Sequence, residues 1–476
     1  MRAETSRGGG GRELAIEYTT KPVSGWGGLE LMARFFERVD LRGVLVRALP
    51  DGRTSPNRTE VIDIALALLA TVLTGGRRFE HVERLRGDEV IRAILRVGRM
   101  PSAMVLTRYF GGLVRVQVER LSEVLWNWQM SRLRVPRLGA VLDLDSTVFE
   151  RYGAQQGSLK GHNPRKHGRP SHHPLIAFMA EAKMVLHAWL RSGNTSSSRG
   201  VRAFLDEALT RLPQGQRRIY AVRADSGFFD HQFLLHLEER QLPYAVVCRM
   251  TPPLRRVVAG ARNWRSFGKG LEVAELPYQT FGWKQPRRLV VVREEIKERP
   301  EARGRKLFEV PGYTFHAVVT TLEFPPEEVW RFYNSRADSE NRIKELKEDF
   351  GADGFCLRSF DGTEAVFRLI CCLFNLVSEF RSRVLKDPAP RLSTLRTEVL
   401  VVGAILGSSA RKKILRLGLR KRYRERFEEL LRRVAALAAS TVAQFDFSAI
   451  DQRLGPPRPW KLHPPYRRPA PIFAST

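Results

Sequence analysis

The sequence predicts an α/β core with mixed strand directions, set between helical N- and C-terminal regions. Three observations lead there. Residues 136–250 alternate strand-like and helix-like stretches in the order three strands, helix, strand, helix, strand. The first 130 residues repeat their apolar positions at helical spacing. A long helical pattern opens at Pro325, and a second one, apolar on most sides, runs from about Thr363 to Val384.

Taken in order, residues 1–20 are a Gly- and Arg-rich stretch expected to be a disordered basic tail. Residues 21–135 are expected to form a helical DNA-binding region: a pattern from Leu29 to Leu49 broken at Asp40, then Glu60 to Thr74 closed by Gly75 and Gly76. Phe79 to Arg86, Asp88 to Arg96 and a helix from Pro101 to about Trp128 follow. Asp88 to Arg96, its turn and the next helix resemble a helix-turn-helix, with an ordinary helical bundle as the alternative. Strands are expected at Gly139–Asp145, Leu175–Glu181, Lys183–Leu190, Arg217–Asp225 and Tyr244–Cys248, with helices at Arg199–Leu212 and Asp230–Arg240. Residues 251–324 read as a β insertion with strands near Leu271–Pro277, Arg287–Ile296 and Tyr313–Thr321, and a charged loop from Lys297 to Lys306. Residues 325–385 return to the core. Pro325, Pro326, Glu327 and Glu328 start a helix that the pattern extends to Asp349, about 36 Å at 1.5 Å per residue. Residues 386–454 are expected to be helical and basic, and 455–476 a Pro-rich tail.

Composition narrows the partner. The 476 residues carry 80 Lys and Arg against 51 Asp and Glu, a formal charge of +29. Such an excess calls for a polyanion: nucleic acid, or an anionic membrane surface. The longest apolar run, Ile62 to Leu73, contains Asp63 and is too short to span a bilayer. The first residues show no apolar signal-peptide core. The four cysteines have no ligand spacing, and Cys371 and Cys372 read as small core residues, so a cytoplasmic protein with no membrane partner is expected.

The chemistry gathers on three elements. Strand alternation puts Val141, Asp143 and Asp145 on one face, opposite Ala140, Leu142 and Leu144. Asp225 ends another strand. On the long helix, Tyr333, Arg336, Glu340 and Lys347 share an arc of about 60° at ~100° per residue, while Glu345 and Glu348 point elsewhere. A solvated charged face would produce the same stripe. Carboxylates from strand ends and a helix suit a hard divalent cation, Mg²⁺ or Mn²⁺, with phosphodiester as the substrate class. His162, His167, His172 and His173 crowd one loop without a zinc-site pattern. Lys160, Arg165, Lys166 and Arg169 make the same loop a candidate for phosphate contact, as are Arg411, Lys412 and Lys413 near the C-terminus.

The spacing of Tyr333, Arg336, Glu340 and Lys347 resembles the signature of bacterial insertion-sequence transposases with an Asp-Asp-Glu site. Asp145-Ser146-Thr147 is similar to their first acid motif and Arg223-Ala224-Asp225-Ser226-Gly227-Phe228 to their second. The β insertion before the Glu helix is similar too, and the likeness covers about residues 25–440. It implies an RNase H-like mixed sheet with Asp145, Asp225 and Glu340 as ligands of two Mg²⁺ (or Mn²⁺) ions. Tyr333, Arg336 and Lys347 would contact DNA near the scissile phosphate, and Trp264 or Trp283 of the insertion would stack on a flipped base, packing being the alternative for each. The implied activity is endonucleolytic cleavage at terminal inverted repeats and joining of 3′-hydroxyl ends to target DNA, by a homodimer on double-stranded DNA in the bacterial nucleoid. An RNase H-like nuclease without strand transfer, and a non-catalytic DNA-binding regulator derived from a transposase, remain the rival readings.

Overall fold

The structure is a computed structural model that describes residues 14, 16–53, 55–135, 138–161, 163, 166–212, 219–280, 282–295, 313–387, 390–410 and 412–438. The expected tails at 1–13 and 455–476, the Lys297–Lys306 loop, and His162, Arg165 and Arg411 lie outside the described residues.

The chain starts with a short strand, β1 (Val23–Ser24), and then turns helical. Helices α1 (Leu29–Arg38) and α2 (Leu41–Ala48) meet at Asp40, whose φ of 56° breaks the run. The next helix, α3 (Val61–Leu73), is apolar on every side and buries all but one of its residues, so it forms the centre of the region. Around it stand α4 (Glu83–Arg86), α5 (Glu89–Leu95), α6 (Ala103–Gly111) and α7 (Arg115–Ser131). The single helix expected from Pro101 to Trp128 is thus two, separated at Gly112.

The core begins at β2 (Ala140–Ser146). After it come β3 (Phe149–Glu150), β4 (Leu159–Lys160) and β5 (Pro170–His172), a small separate sheet, and then β6 (Leu175–Met179) and β7 (Met184–Trp189). Helix α8 (Val201–Thr210), strand β8 (Ile219–Ala224), helix α9 (His231–Glu239) and strand β9 (Tyr244–Val247) complete the predicted alternation. The insertion contains α10 (Pro252–Ala259), β10 (Arg265–Gly268), β11 (Leu271–Tyr278), β12 (Arg287–Glu295) and β13 (Tyr313–Thr320).

The core strands β2 and β6 to β9 and the insertion strands β10 to β13 join one nine-stranded sheet, ordered β10-β11-β12-β13-β9-β8-β2-β6-β7. Strand β2 runs parallel to β8 and β8 to β9, while the other neighbours are antiparallel. The five core strands therefore lie in the order third, second, first, fourth, fifth, the mixed RNase H-like arrangement. The insertion is not a separate small β domain. Its last strand, β13, pairs with β9 through Val318 and Val247, and so extends the core sheet.

Helix α11 (Pro326–Asn334) covers one face of the sheet and α13 (Phe360–Phe380) the other, while α12 (Ala337–Glu348) reaches the first face with Arg342, beside Asp143, and joins the cluster of α13 with Ile343 and Leu346. Alternation in β2 sorts the core accordingly. Val141 packs with Val329 and Phe332 of α11, while Leu142 and Leu144 join the cluster of α13, whose side chains from Gly362 to Phe380 are all buried.

The unbroken helix expected from Pro325 to Asp349 is interrupted at Ser335 and Arg336. The cause is Arg223 of β8. Its Nη1 donates to the Phe332 carbonyl at 2.7 Å, and also to the Ser335 hydroxyl, which itself donates to Phe332 O at 2.8 Å. With that carbonyl engaged, the Arg336 amide bonds instead to Tyr333 O, closing α11 as a capped C-terminus with a cation on its negative end.

The C-terminal region departs from the helical expectation as well. After α14 (Leu392–Leu395) come β14 (Ala404–Ser409) and β15 (Lys412–Leu417), a hairpin that pairs with β1, and only then α15 (Lys421–Ala436). Lys412 and Lys413 therefore stand exposed on a strand.

Candidate active site

Strands β2 and β8 are parallel neighbours, so their C-terminal ends bring Asp145 and Asp225 to the same edge, under α12. Asp145 is 6 % exposed. Its Oδ1 accepts from the Ser146 amide at 2.8 Å and its Oδ2 from Arg336 Nη2 at 2.6 Å. Burial pushes its carboxyl up to about 7; the Arg336 charge pulls it down, and the charges of Asp225 and Glu340 raise it further. Asp145 thus lies within electrostatic reach of both other acids. Asp225 is half-buried and accepts from the Gly227 amide at 2.9 Å, which fixes the turn beyond the strand. A side chain at Gly227 would come within 2.7 Å of Ser197 Oγ, so glycine is needed there for close approach.

Glu340 leans outward, its side chain 75 % exposed and its Oε1 3.8 Å from Arg336 Nη1. The Arg336 guanidinium therefore stands between Asp145 and Glu340. Among the described residues, no three His, Cys, Asp or Glu side chains are close enough together to hold a metal ion as they stand. The expected carboxylate cluster is approached by charge but not closed by contact. The donor set still suits a hard cation: three carboxylates, one of them buried and held partly protonated for want of positive charge. Among the described residues, Arg336 is the cation that meets that need.

The remaining site residues of the sequence reading are placed as follows. Arg336, expected to face phosphate, is buried against Asp145 and the Leu144 carbonyl. Lys347 donates to the Val148 carbonyl at 2.9 Å and pins the loop that follows β2. Tyr333 is half-buried, stacked on Trp330 with centroids 6.3 Å apart, and burial raises its phenol. Lys160 is exposed on β4, and Lys166 is exposed while pairing with Glu150 at 2.9 Å. Trp283 is buried, with His231 stacked on its ring and Arg287 4.2 Å from its centroid. Trp264 has Arg293 over its face at 4.4 Å. Both rings thus carry an arginine over one face, Trp283 buried and Trp264 half-buried. Among the described residues, the loop histidines do not assemble a metal site either. His172 accepts from Arg151 Nε at 2.9 Å and is pushed down to about 4 by burial, and His173 is buried on the Thr195 carbonyl.

Asp143, which shares the strand face of Asp145, is fully buried and bidentate to Arg223, at 2.6 and 3.0 Å. Three positioning residues escaped the sequence reading: Arg223, Arg342 and Ser197. Arg223 lies directly across from Asp143 in the parallel register, and strand alternation could have suggested it. Arg342 donates to the Ala180 carbonyl at 2.8 Å and fastens α12 to the end of β6. Ser197 shares a 2.8 Å hydrogen bond with Ser146 next to Asp145, and its polar loop carried no signal that separated it from an ordinary turn.

Asp145 and Asp225 thus stand at the ends of parallel strands of an RNase H-like sheet, and Glu340 on the helix that follows Arg336. Residues 7–439 match the transposase DDE domain group 1 model, and the chain belongs to that family. Among solved structures, a piggyBac transposase synaptic complex with hairpin DNA aligns over 91 % of this chain and 92 % of that one, at 10 % identity and a TM-score of 0.40. No curated protein matches the chain. Among the described residues, no helix is long and apolar enough to cross a membrane.

Proposed function

We propose that this transposase cleaves the terminal inverted repeats of a DNA element and joins the freed 3′-hydroxyl ends to target DNA. Asp145, Asp225 and Glu340 would be its cation ligands, for Mg²⁺ or Mn²⁺. The observation that supports this reading most is Asp145: a buried carboxyl raised to about 7, beside two further acids, in a chain of this family. Two bound ions would supply positive charge at the attacking and leaving oxygens of an in-line phosphoryl displacement.

The chain's own residues prepare that site. Burial of Asp145 in the strand end lowers the local dielectric and strengthens its hold on any cation. Arg336 positions Asp145 and balances its charge in the protein alone. Lys347 fixes the loop after β2, and Tyr333 packs against the base of the site, near enough to feel the Asp225 charge. Outside it, Lys160, Lys166, Lys412 and Lys413, with Arg165 and Arg411, are offered as phosphate contacts. The +29 charge supports a polyanionic substrate. Holding two element ends together calls for two chains, so a homodimer on DNA is part of the proposal.

Cleavage of a duplex carrying the element's end is the test. Asp145→Asn, Asp225→Asn and Glu340→Gln should each lower the Mg²⁺-dependent rate by about a thousandfold or more, on the scale of losing a preorganised charge, while DNA binding persists. Undiminished cleavage by Glu340→Gln would contradict the assignment. Pre-cut ends that fail to join to target DNA would favour the nuclease without strand transfer.

A further inference from the structure

The helical N-terminal region contains a second basic feature that none of the catalytic residues uses. A cleft of about 680 Å³ opens between the α2–α3 connection, the α5–α6 turn and the end of α6. Arg53, Arg58, Arg86, Arg99 and Arg108 line it together with Tyr109, and no Asp or Glu does. Asp51 serves both Arg53 and Arg58 at 3.0 and 3.4 Å, and Glu83 serves Arg86 at 2.8 Å. Two acids thus stand against five cations. Among the described residues, Arg99 and Arg108 have no carboxylate partner; the nearest polar contact of the Arg108 guanidinium is Met104 Sδ at 3.7 Å.

The cleft is built on a rigid frame. Buried Asp63 accepts from the amides of Gly98 and Arg99 at 3.0 and 3.1 Å, which fixes the turn and leaves the exposed Arg99 side chain pointing out of it. Arg53 donates to the Thr59 carbonyl at 2.8 Å and lies 5.4 Å from the Tyr109 ring centroid, while the Tyr109 hydroxyl donates to Pro50 O at 2.9 Å. Guanidinium groups match the paired oxygens of a phosphodiester, and five of them lining one cleft are more than a single anion engages.

We propose that this cleft seats the sugar–phosphate backbone of duplex DNA, with Arg99 and Arg108 each contacting a phosphate. The proposal rests on the transposase reading for the presence of DNA, but it concerns a face separate from Asp145, Asp225 and Glu340. A free phosphate offers the same chemistry, so inorganic phosphate serves as a competing probe.

The experiment measures fluorescence anisotropy of a labelled duplex with the full chain across a salt series. Arg99→Gln/Arg108→Gln is expected to weaken binding about tenfold or more and to reduce the salt slope by about two, one per lost phosphate contact. Arg99→Lys/Arg108→Lys should restore the slope. Both side chains are exposed, so the melting temperature should hold and serve as the fold control. Unchanged affinity and slope in the glutamine variant overturn the proposal. So does loss of inorganic-phosphate competition with duplex affinity intact, which would make the cleft a small-anion site. Glu340→Gln run alongside separates the two failures: its retained cleavage would overturn the catalytic reading and leave the result at the cleft standing.

Discussion

Two aspartates sit two residues apart on one face of β2, and each has an arginine. Asp143 meets Arg223 with both oxygens, fully buried, and the rest of Arg223 caps α11. Asp145 meets Arg336 through one oxygen only, and its carboxyl remains raised to about 7. The first pair is closed and holds two elements at their angle. The second is under-compensated at a sheet edge where two further acids stand. A buried carboxylate with all its partners is part of the scaffold. One left short of positive charge, at the mouth of a site, is where an incoming cation gains most.

Stability separates the two pairs most strongly. Asp143→Asn strands a buried guanidinium and is expected to cost about 3–5 kcal/mol in denaturant unfolding. Asp145→Asn also leaves a buried guanidinium, Arg336, without its charge partner, but an amide oxygen can keep the single hydrogen bond, so it should cost less, about 1–3 kcal/mol, while activity is lost. Equal costs at the two positions would erase the distinction between scaffold and site.

A smaller effect sharpens the same point. Glu181, in the turn after β6, accepts weakly from the Val141 amide at 3.3 Å, and burial pushes it up to about 7. Arg223 lowers it only in part, and the Asp143 charge raises it. Because its folded value exceeds the ordinary one, its contribution is present below about pH 4.5 and is lost as pH rises through 7. Glu181→Gln should therefore gain about 1–2 kcal/mol at pH 8 and almost nothing at pH 4.5. A pH-independent difference would mean that Glu181 stays charged in the fold.

Sequence patterning carried the sheet core well. Alternation in β2 placed Asp143 and Asp145 on the face that α11 covers and α12 reaches, and helical phase singled out Glu340 from Glu345 and Glu348. In the structure Glu345 is buried against Arg381 and Glu348 pairs with Arg391, while Glu340 stays exposed. The break at Ser335 was not legible, because it is imposed by Arg223, more than a hundred residues earlier. Strand pairing was equally out of reach, since nothing local in β13 says that it joins β9. The β14–β15 hairpin did leave a trace, exposed Ile414 and Arg416 alternating with half-buried Leu415 and Leu417, which the basic cluster around it masked. The tryptophans of the insertion gave no signal of their cover, because His231, Arg287 and Arg293 reach them from other strands and loops.

The central claim is that Asp145, Asp225 and Glu340 jointly hold the cation that Arg336 now replaces. Mn²⁺ binding to the full chain with an end-bearing duplex, followed by electron paramagnetic resonance, tests it without relying on turnover. The unaltered protein should bind Mn²⁺, and Asp145→Asn, Asp225→Asn and Glu340→Gln should each weaken that binding at least tenfold. Unchanged Mn²⁺ binding in all three variants would contradict the account.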